Sequence, residues 1–197
     1  MKKINFAIVK TYRYLRLFFY TPISYLNCFI NGVKIGRLNL FDGIIRIVNQ
    51  TGETSIIIGR NCRFNSSTKS NLIGINHGCI LSTHMHKGKI EIGNNCGFSG
   101  TAIGAFDSIT IEDNVRCGAN TLITDADWHM DDPRVGPAKP IIIRKNVWIG
   151  YNTVVLKGVE IGENTIIGAG SIVTSNIPPN VIASGNPCKV IKPLSVK

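Results

Sequence analysis

The sequence predicts an all-β protein, built as a parallel β-helix with a short helical N-terminal segment. Aliphatic side chains recur at strict six-residue intervals near the C-terminus: Ile143, Ile149, Val155, Ile161, Ile167 and Val173. Glycine directly follows the aliphatic residue at Gly150, Gly162 and Gly168, where the missing Cβ permits close packing. The 20 glycines and only 8% aromatic residues suit a narrow coil filled by small side chains.

The six-residue period separates this fold from ordinary helices and sheets. Six matches neither the period of roughly 3.6 of an α-helix nor that of about 2 of a long strand. It indicates a repeat in which each hexad supplies one short strand and one turn, so that three hexads close a triangular coil. Pro178 and Pro179 lack the backbone donors to continue pairing, and the last coil is expected to end there.

Upstream, the same period is less strict. Residues 31–57 alternate apolar and polar in short pieces broken by glycines, which predicts irregular first coils. Regular coils are expected from Ile58, with further coils at Ile75 and Ile92, and strict six-residue spacing returns from Ile111.

Three motifs carry a resemblance to a known family: VWIG at 147–150, GVEIGENTIIGAGSIVT at 158–174 and IPPNVIASGNPCKVIK at 177–192. The chain resembles the hexapeptide-repeat acyltransferases, most closely the sugar O-acetyltransferases of the galactoside and maltose type. The resemblance implies a left-handed coil, a homotrimer with active sites shared between neighbours, acetyl-CoA as the acyl-donor cosubstrate, and no metal.

The hexad breaks between Ile123 and Ile143 into a stretch with three prolines and one glycine, which predicts an extruded loop over 124–142. The resemblance implies that His129 in this loop is the catalytic residue. A histidine with a pKa of about 6.5 can remove a hydroxyl proton and return it to a thiolate near neutral pH. Asp125 and Asp127 are the nearest carboxylates that could orient the imidazole, and the prediction favours Asp127.

The resemblance also implies binding residues for both substrates. The acetyl-CoA contacts are Tyr151, Ala169, Thr174, Ser175, Lys189 and Lys192. Ser99 and Trp148 are the acceptor-side candidates; Ser99 could instead fill a turn, and Trp148 could instead contact another subunit. The two lysines supply charge for a phosphate, although an ordinary solvated tail is the alternative.

The N-terminal segment differs from the rest of the chain in charge and composition. Seven basic and no acidic residues precede Asp42, so that segment carries +7 of the net charge of +10. Residues 1–30 are predicted to form a basic, aromatic helix, continuous or broken at Pro22, that caps the coil domain of residues 31–197. Contact with an anionic membrane surface and contact within a trimer are both open alternatives, whereas the apolar run is too short for a membrane span.

The remaining histidines and the cysteines predict no metal site. His84 and His86 share one strand face, but no third ligand follows at a suitable spacing, and both are expected at the surface together with His77. Six cysteines without a CxxC pair indicate buried free thiols and a reducing, cytoplasmic compartment. The basic, aromatic N-terminus leaves a position at the inner membrane surface open. No motif indicates nucleic-acid binding.

The resemblance implies an O-acetyltransferase that moves acetyl from acetyl-CoA to a sugar hydroxyl, and the basic, aromatic N-terminus favours a setting in bacterial surface polysaccharide synthesis. N-acetylation of a nucleotide-linked amino sugar and a non-catalytic assembly role remain the alternatives, because fold alone does not fix function.

Overall fold

The computed structural model describes residues 2–52, 55–85 and 87–194, with side chains from Lys10 onward. In this part of the chain, an N-terminal helix precedes short strands that form three sheets. Successive strands pass from sheet A to sheet B to sheet C, so each turn of the coil contributes one strand to each face.

The strands of each sheet stack in chain order along the coil. Sheet A contains β1 (Lys34–Ile35), β4 (Ile56–Ile58), β7 (Lys89–Ile92), β10 (Ser108–Ile111), β13 (Ile141–Ile143) and β16 (Glu160–Ile161). Sheet B contains β2 (Leu40–Asp42), β5 (Arg63–Asn65), β8 (Gly97–Ser99), β11 (Arg116–Cys117), β14 (Trp148–Ile149), β17 (Ile166–Ile167), β19 (Val181–Gly185) and β20 (Cys188–Pro193). Sheet C contains β3 (Arg46–Asn49), β6 (Ile80–Thr83), β9 (Ala102–Ala105), β12 (Leu122–Thr124), β15 (Val154–Val155) and β18 (Ile172–Val173).

Parallel pairing and inward aliphatic side chains build the core. The six aliphatic residues of the strict period are each at most 1% exposed: Ile143, Ile149, Val155, Ile161, Ile167 and Val173. Phe41, Phe64 and Phe98 stack inside sheet B with ring centroids 5.0 Å apart. The coil ends in an antiparallel hairpin of β19 and β20 that continues sheet B.

Two expectations about the N-terminal half were wrong. Regular pairing already begins at β1, where Ile35 pairs with Ile58, so residues 31–57 contribute an ordinary first coil. Ile58 in turn pairs directly with Ile92, and no coil lies at Ile75. Residues 66–79 instead leave the coil between β5 and β6, at the edge between sheets B and C, with Ile75 buried at the base of this loop.

Helix α1 (Lys2–Ile30) runs through Pro22 without a break and packs across the first strands. Leu17, Ser24 and Cys28 are buried on its inner face. Polar bonds fix it in place: the Asn27 side chain donates to the Ile45 carbonyl at 2.8 Å. The division of the chain into a helical cap and a coil domain remains a prediction.

Among the described residues, no helix is both long and apolar enough to cross a membrane. All six cysteines are buried and free, as the sequence predicted.

Candidate active site

The loop of residues 125–140 leaves the coil at the edge between sheets C and A, between β12 and β13. Asp125 anchors its base: the buried carboxylate accepts hydrogen bonds from the backbone N–H groups of Phe106 at 2.7 Å and Asp107 at 2.9 Å. Burial raises the pKa of Asp125, and these two hydrogen bonds oppose the shift because they favour the ionised form. Its backbone carbonyl accepts the Lys139 N–H at 2.9 Å, which ties the two ends of the loop together.

Trp128 folds back over the coil and fixes the middle of the loop. Its ring packs edge-on against His84 and Phe106, with centroids 4.8 and 5.3 Å away, while those two rings stack at 4.5 Å. A Cβ at Gly104 would lie 2.5 Å from Cζ2 of Trp128, so only glycine admits the ring there. The indole Nε1 donates to Thr124 Oγ1 at 2.8 Å, and Trp128 holds a φ of 70°, a backbone conformation that a bulky residue adopts only under constraint.

His129 follows this anchored tryptophan directly, and its side chain is exposed in the single chain. Its backbone N–H donates to the Asp127 carbonyl at 2.9 Å, which sets a tight turn. The Asp127 carboxylate forms an ion pair with Lys157, which follows β15 one coil further along. Within the described residues, no side-chain hydrogen bond joins Asp127 or Asp125 to His129. The predicted orienting role of Asp127 is therefore not seen in this geometry.

His84 was predicted to lie at the surface but is half-buried within the aromatic cluster. Its Nδ1 lies 3.2 Å from Gln50 Oε1, and its Nε2 is buried without a hydrogen-bond partner in the described structure. Burial lowers the pKa of His84, and the nearby Asp125 carboxylate opposes this. The contacts with two aromatic rings make His84 part of the loop anchor, a role the sequence did not indicate.

The predicted acetyl-CoA residues divide between two edges of the coil. Tyr151 and Ala169 lie at the B–C edge, where Gly170 N–H donates to the Tyr151 carbonyl at 2.8 Å. Lys189 pairs with Ser184 near the same edge. The other three positions lie elsewhere: Thr174 and Ser175 follow β18 at the C–A edge, and Lys192 is exposed on β20.

Sheet C separates those two edges, so one chain does not bring all six residues to one place. The C–A edge carries the loop with His129, and the B–C edge carries Tyr151 and Ala169.

The two acceptor-side candidates both lie on sheet B, on β8 and β14, with β11 between them. Ser99 is 6% exposed, and its hydroxyl oxygen accepts from the side-chain amides of Asn65 at 3.1 Å and Asn71 at 3.2 Å. Trp148 is 56% exposed on the outer face. Asn71 belongs to the 66–79 loop, which the sequence pattern did not predict. Only the extra length between β5 and β6 could have revealed this loop.

Among the described residues, no group of three His, Cys, Asp or Glu side chains could hold a metal ion. His77 is exposed, and its Nδ1 lies 2.9 Å from the Gly78 carbonyl. His86 lies outside the described residues.

Comparison with known proteins agrees with this architecture. Residues 140–175 match the family described as bacterial transferase hexapeptide (six repeats). The galactoside O-acetyltransferase of Escherichia coli is 43% identical over 112 residues, 54% of this chain and 55% of that protein. A Schizosaccharomyces pombe protein described as an acetyltransferase is 42% identical over 55% of this chain and 53% of its own length. The chain thus spans about half the length of these curated relatives.

Solved structures extend the likeness over most of the chain. A galactoside acetyltransferase in complex with coenzyme A gives a TM-score of 0.51 at 28% identity, covering 83% of this chain and 66% of that one. AntD, an N-acyltransferase from Bacillus cereus, gives 0.66 at 23% identity in a complex with dTDP-4-amino-4,6-dideoxyglucose and coenzyme A, covering 88% of this chain and 90% of that one. The predicted left-handed coiling of the β-helix and the family resemblance are confirmed. The protein carries the bacterial transferase hexapeptide repeat and has the left-handed β-helix fold of the hexapeptide-repeat acetyltransferases.

Proposed function

We propose that the protein is an acetyl-CoA-dependent O-acetyltransferase that acts on a sugar hydroxyl, with His129 as the general base. The observation that carries the proposal is an accessible imidazole on a loop pinned to a hexapeptide coil by Asp125, Trp128 and Lys157. The imidazole would take the proton of the attacking hydroxyl and return it to the departing coenzyme A thiolate. The similarity to galactoside O-acetyltransferase supports the same chemistry.

Acetyl-CoA would lie along the edges of sheet C, in a groove completed by a neighbouring copy in a homotrimer. Tyr151 and Ala169 would line the pantetheine arm on one side, and Thr174 and Ser175 on the other. Lys189 and the exposed Lys192 would meet the phosphates as point charges. No metal has a step in this reaction.

Replacing His129 tests the mechanism. His129→Ala should lower kcat for acetyl transfer by at least about 10²-fold, because the proton has no other acceptor at that position. Asp127→Asn is the informative companion: its partly exposed ion pair with Lys157 is worth about 1 kcal/mol or less, so we expect a loss of about fivefold at most. Turnover retained in His129→Ala, measured with labelled acetyl-CoA, would refute the proposal, and a loss in Asp127→Asn as large as that in His129→Ala would restore its orienting role.

The acceptor chemistry is the finer part of the proposal. We place the enzyme in surface polysaccharide synthesis, and N-acetylation of a nucleotide-linked amino sugar is the second candidate because the fold also matches an N-acyltransferase. Matched hydroxyl and amine acceptors would separate the two. A non-catalytic assembly role predicts that the protein does not bind acetyl-CoA in calorimetry.

The proposal includes peripheral contact of α1 with the inner face of an anionic membrane. The helix exposes apolar side chains outside its buried face, including Phe18 at 82% and Phe29 at 80% exposure. Lys10 and Arg13 are also exposed on α1, and such basic side chains favour contact with anionic lipid. Phe18→Ser with Phe29→Ser should weaken binding to phosphatidylglycerol vesicles, whereas Leu72→Ser, which alters a 93% exposed side chain elsewhere, should not. Equal vesicle binding by all three proteins would exclude the membrane role.

A further inference from the structure

The outer face of sheet B carries two arginines on either side of a glycine. Arg63 on β5, Gly97 on β8 and Arg116 on β11 are neighbours in register. A Cβ added at Gly97 would meet nothing within 4 Å, so the floor between the two side chains is open. With strands about 4.8 Å apart, the two arginine Cα atoms lie about 10 Å from each other. We call this concave site the arginine notch; its cavity is about 330 Å³, and Asn65 and Ser99 also line it.

Positive charge in and beside the notch exceeds the negative charge available to balance it. The Arg16 guanidinium pairs with Oδ1 of Asp42, whose Oδ2 lies 3.9 Å from Nη2 of Arg63. That nitrogen is buried and has no hydrogen-bond partner in the described structure. Burial lowers the pKa of Arg63, and the positive charge of Arg13 lowers it further. Arg116 is exposed and forms no ion pair within the described residues, so a bound anion would relieve repulsion.

Hydrogen bonds hold the donors of the notch in place. Nε of Arg63 donates to Asn65 Oδ1 at 3.0 Å, and the Asn65 amide donates to Ser99 Oγ at 3.1 Å. Because Ser99 Oγ already accepts from both Asn65 and Asn71, its own hydrogen is available to a ligand. The notch therefore presents guanidinium and hydroxyl donors, the set that recognises a phosphoryl group.

We infer that the arginine notch binds a phosphoryl group of the acceptor. This inference rests on the proposed function, because it takes the ligand to be the acceptor of acetyl transfer. The chemical class is a diphosphate ester, either of a nucleoside or of a polyprenyl lipid. The sugar that it carries would extend along the B–C edge toward the proposed acetyl-CoA groove.

The geometry along that edge supports this direction. The Asn120 N–H donates to the Ser99 carbonyl at 3.0 Å, and the Asn152 N–H donates to the Ala119 carbonyl at 2.8 Å, so the edge is a continuous ladder. It reaches Tyr151 two coils beyond Ser99, a rise of about 10 Å at the usual strand spacing. The notch thus lies close to the proposed donor groove without overlapping it.

Calorimetry with inorganic pyrophosphate tests the notch directly. Arg116→Gln should weaken binding about tenfold or more, since a charge-assisted bond to phosphate is lost, and the exposed side chain can change without disturbing the fold. Arg63→Lys should weaken binding as well, because the charge stays but the planar fork is lost. The matched control is Arg46→Gln, an exposed arginine on sheet C, which should bind as the unchanged protein does.

A second control excludes binding at the proposed coenzyme A phosphate site. Pyrophosphate binding should persist in the double variant Lys189→Gln, Lys192→Gln. Binding that depends on those lysines and not on Arg116 would overturn the inference. So would the absence of any pyrophosphate binding by the unchanged protein. His129→Ala should bind pyrophosphate normally, so failure of the notch and failure of acetyl transfer are separate results. Competition by uridine diphosphate and by geranyl diphosphate then names the source: the tighter competitor identifies a nucleotide-linked or a lipid-linked acceptor.

Discussion

Two loops leave the coil at different edges, and they are held in different ways. The 125–140 loop contains three prolines and is fastened by a buried carboxylate, an aromatic cluster and an ion pair. The 66–79 loop contains no proline, and amide hydrogen bonds fasten it: Asn71 donates to Ser99, and the Asn120 side chain donates to the Gly74 carbonyl at 2.8 Å. Its tip is open, with Leu72 93% exposed.

The difference matches what each loop is proposed to do. A general base must stay within hydrogen-bond reach of the reacting proton, and aromatic packing next to His129 limits its movement. A loop beside the acceptor has only to supply polar contacts, and amide bonds to Ser99 are sufficient for that. Substitutions in the two loops should therefore affect different kinetic constants.

Apart from replacement of His129 itself, Trp128→Ala should produce the largest effect among the loop substitutions. Loss of the ring frees the turn that carries His129, and misplacement of a catalytic group by about 1 Å costs up to about 10²-fold, so we expect kcat to fall by about 10-fold to 100-fold. Trp128→Phe keeps the ring contacts with His84 and Phe106 and loses the hydrogen bond to Thr124, so it should recover most of the activity. Full kcat in the alanine variant would show that the aromatic cluster does not position the base.

The sequence predicted the first loop and missed the second for a physical reason. Three prolines cannot hold strand pairing, so the 125–140 loop interrupts the period visibly. In the 66–79 loop, Ile75 lies halfway between Ile58 and Ile92 and imitates the inward position of a coil. Ile75 is buried, but against Gly100 at the edge of the coil rather than in a strand.

As with the loops, only part of the candidate active site could be predicted from the sequence. Residue type and a broken repeat identified His129, because proton transfer requires an imidazole outside the packed coil. The anchors around it could not be read from the sequence: His84, Phe106 and Trp128 come from three successive coils and meet only through the register of sheet C. The Lys157 partner of Asp127 was hidden in the same way, since a contact between coils has no signature in local sequence.

Asn71→Ala sharpens the comparison with a smaller effect. It removes one amide hydrogen bond to Ser99, worth about 1 kcal/mol, so KM for the acceptor should rise about fivefold while kcat stays the same. Asn76→Ala is the matched control, because its side chain is exposed and makes no hydrogen bond within the described structure. A fall in kcat in place of a rise in KM would mean that the two loops do not divide positioning and acceptor contact between them.

The smallest expected effect is a pH dependence confined to one loop. Because burial lowers the pKa of His84, the cluster favours the neutral ring, and its contribution to stability is complete above the unfolded pKa of about 6.5 and is lost as the pH falls toward the folded value. Asp125 acts in the opposite sense, because burial raises its pKa and a raised pKa favours the folded state at lower pH. The side chains that fasten the 66–79 loop, Asn71, Ser99 and Asn120, do not titrate near neutral pH.

Hydrogen-exchange protection, corrected for intrinsic rates, should therefore decrease between pH 7 and pH 5 in the 125–140 loop and not in the 66–79 loop. The variant His84→Phe keeps a ring against Phe106 and should abolish this decrease. Equal loss of protection in both loops would show that their stability is coupled through the coil and that the distinction between their anchors has no consequence.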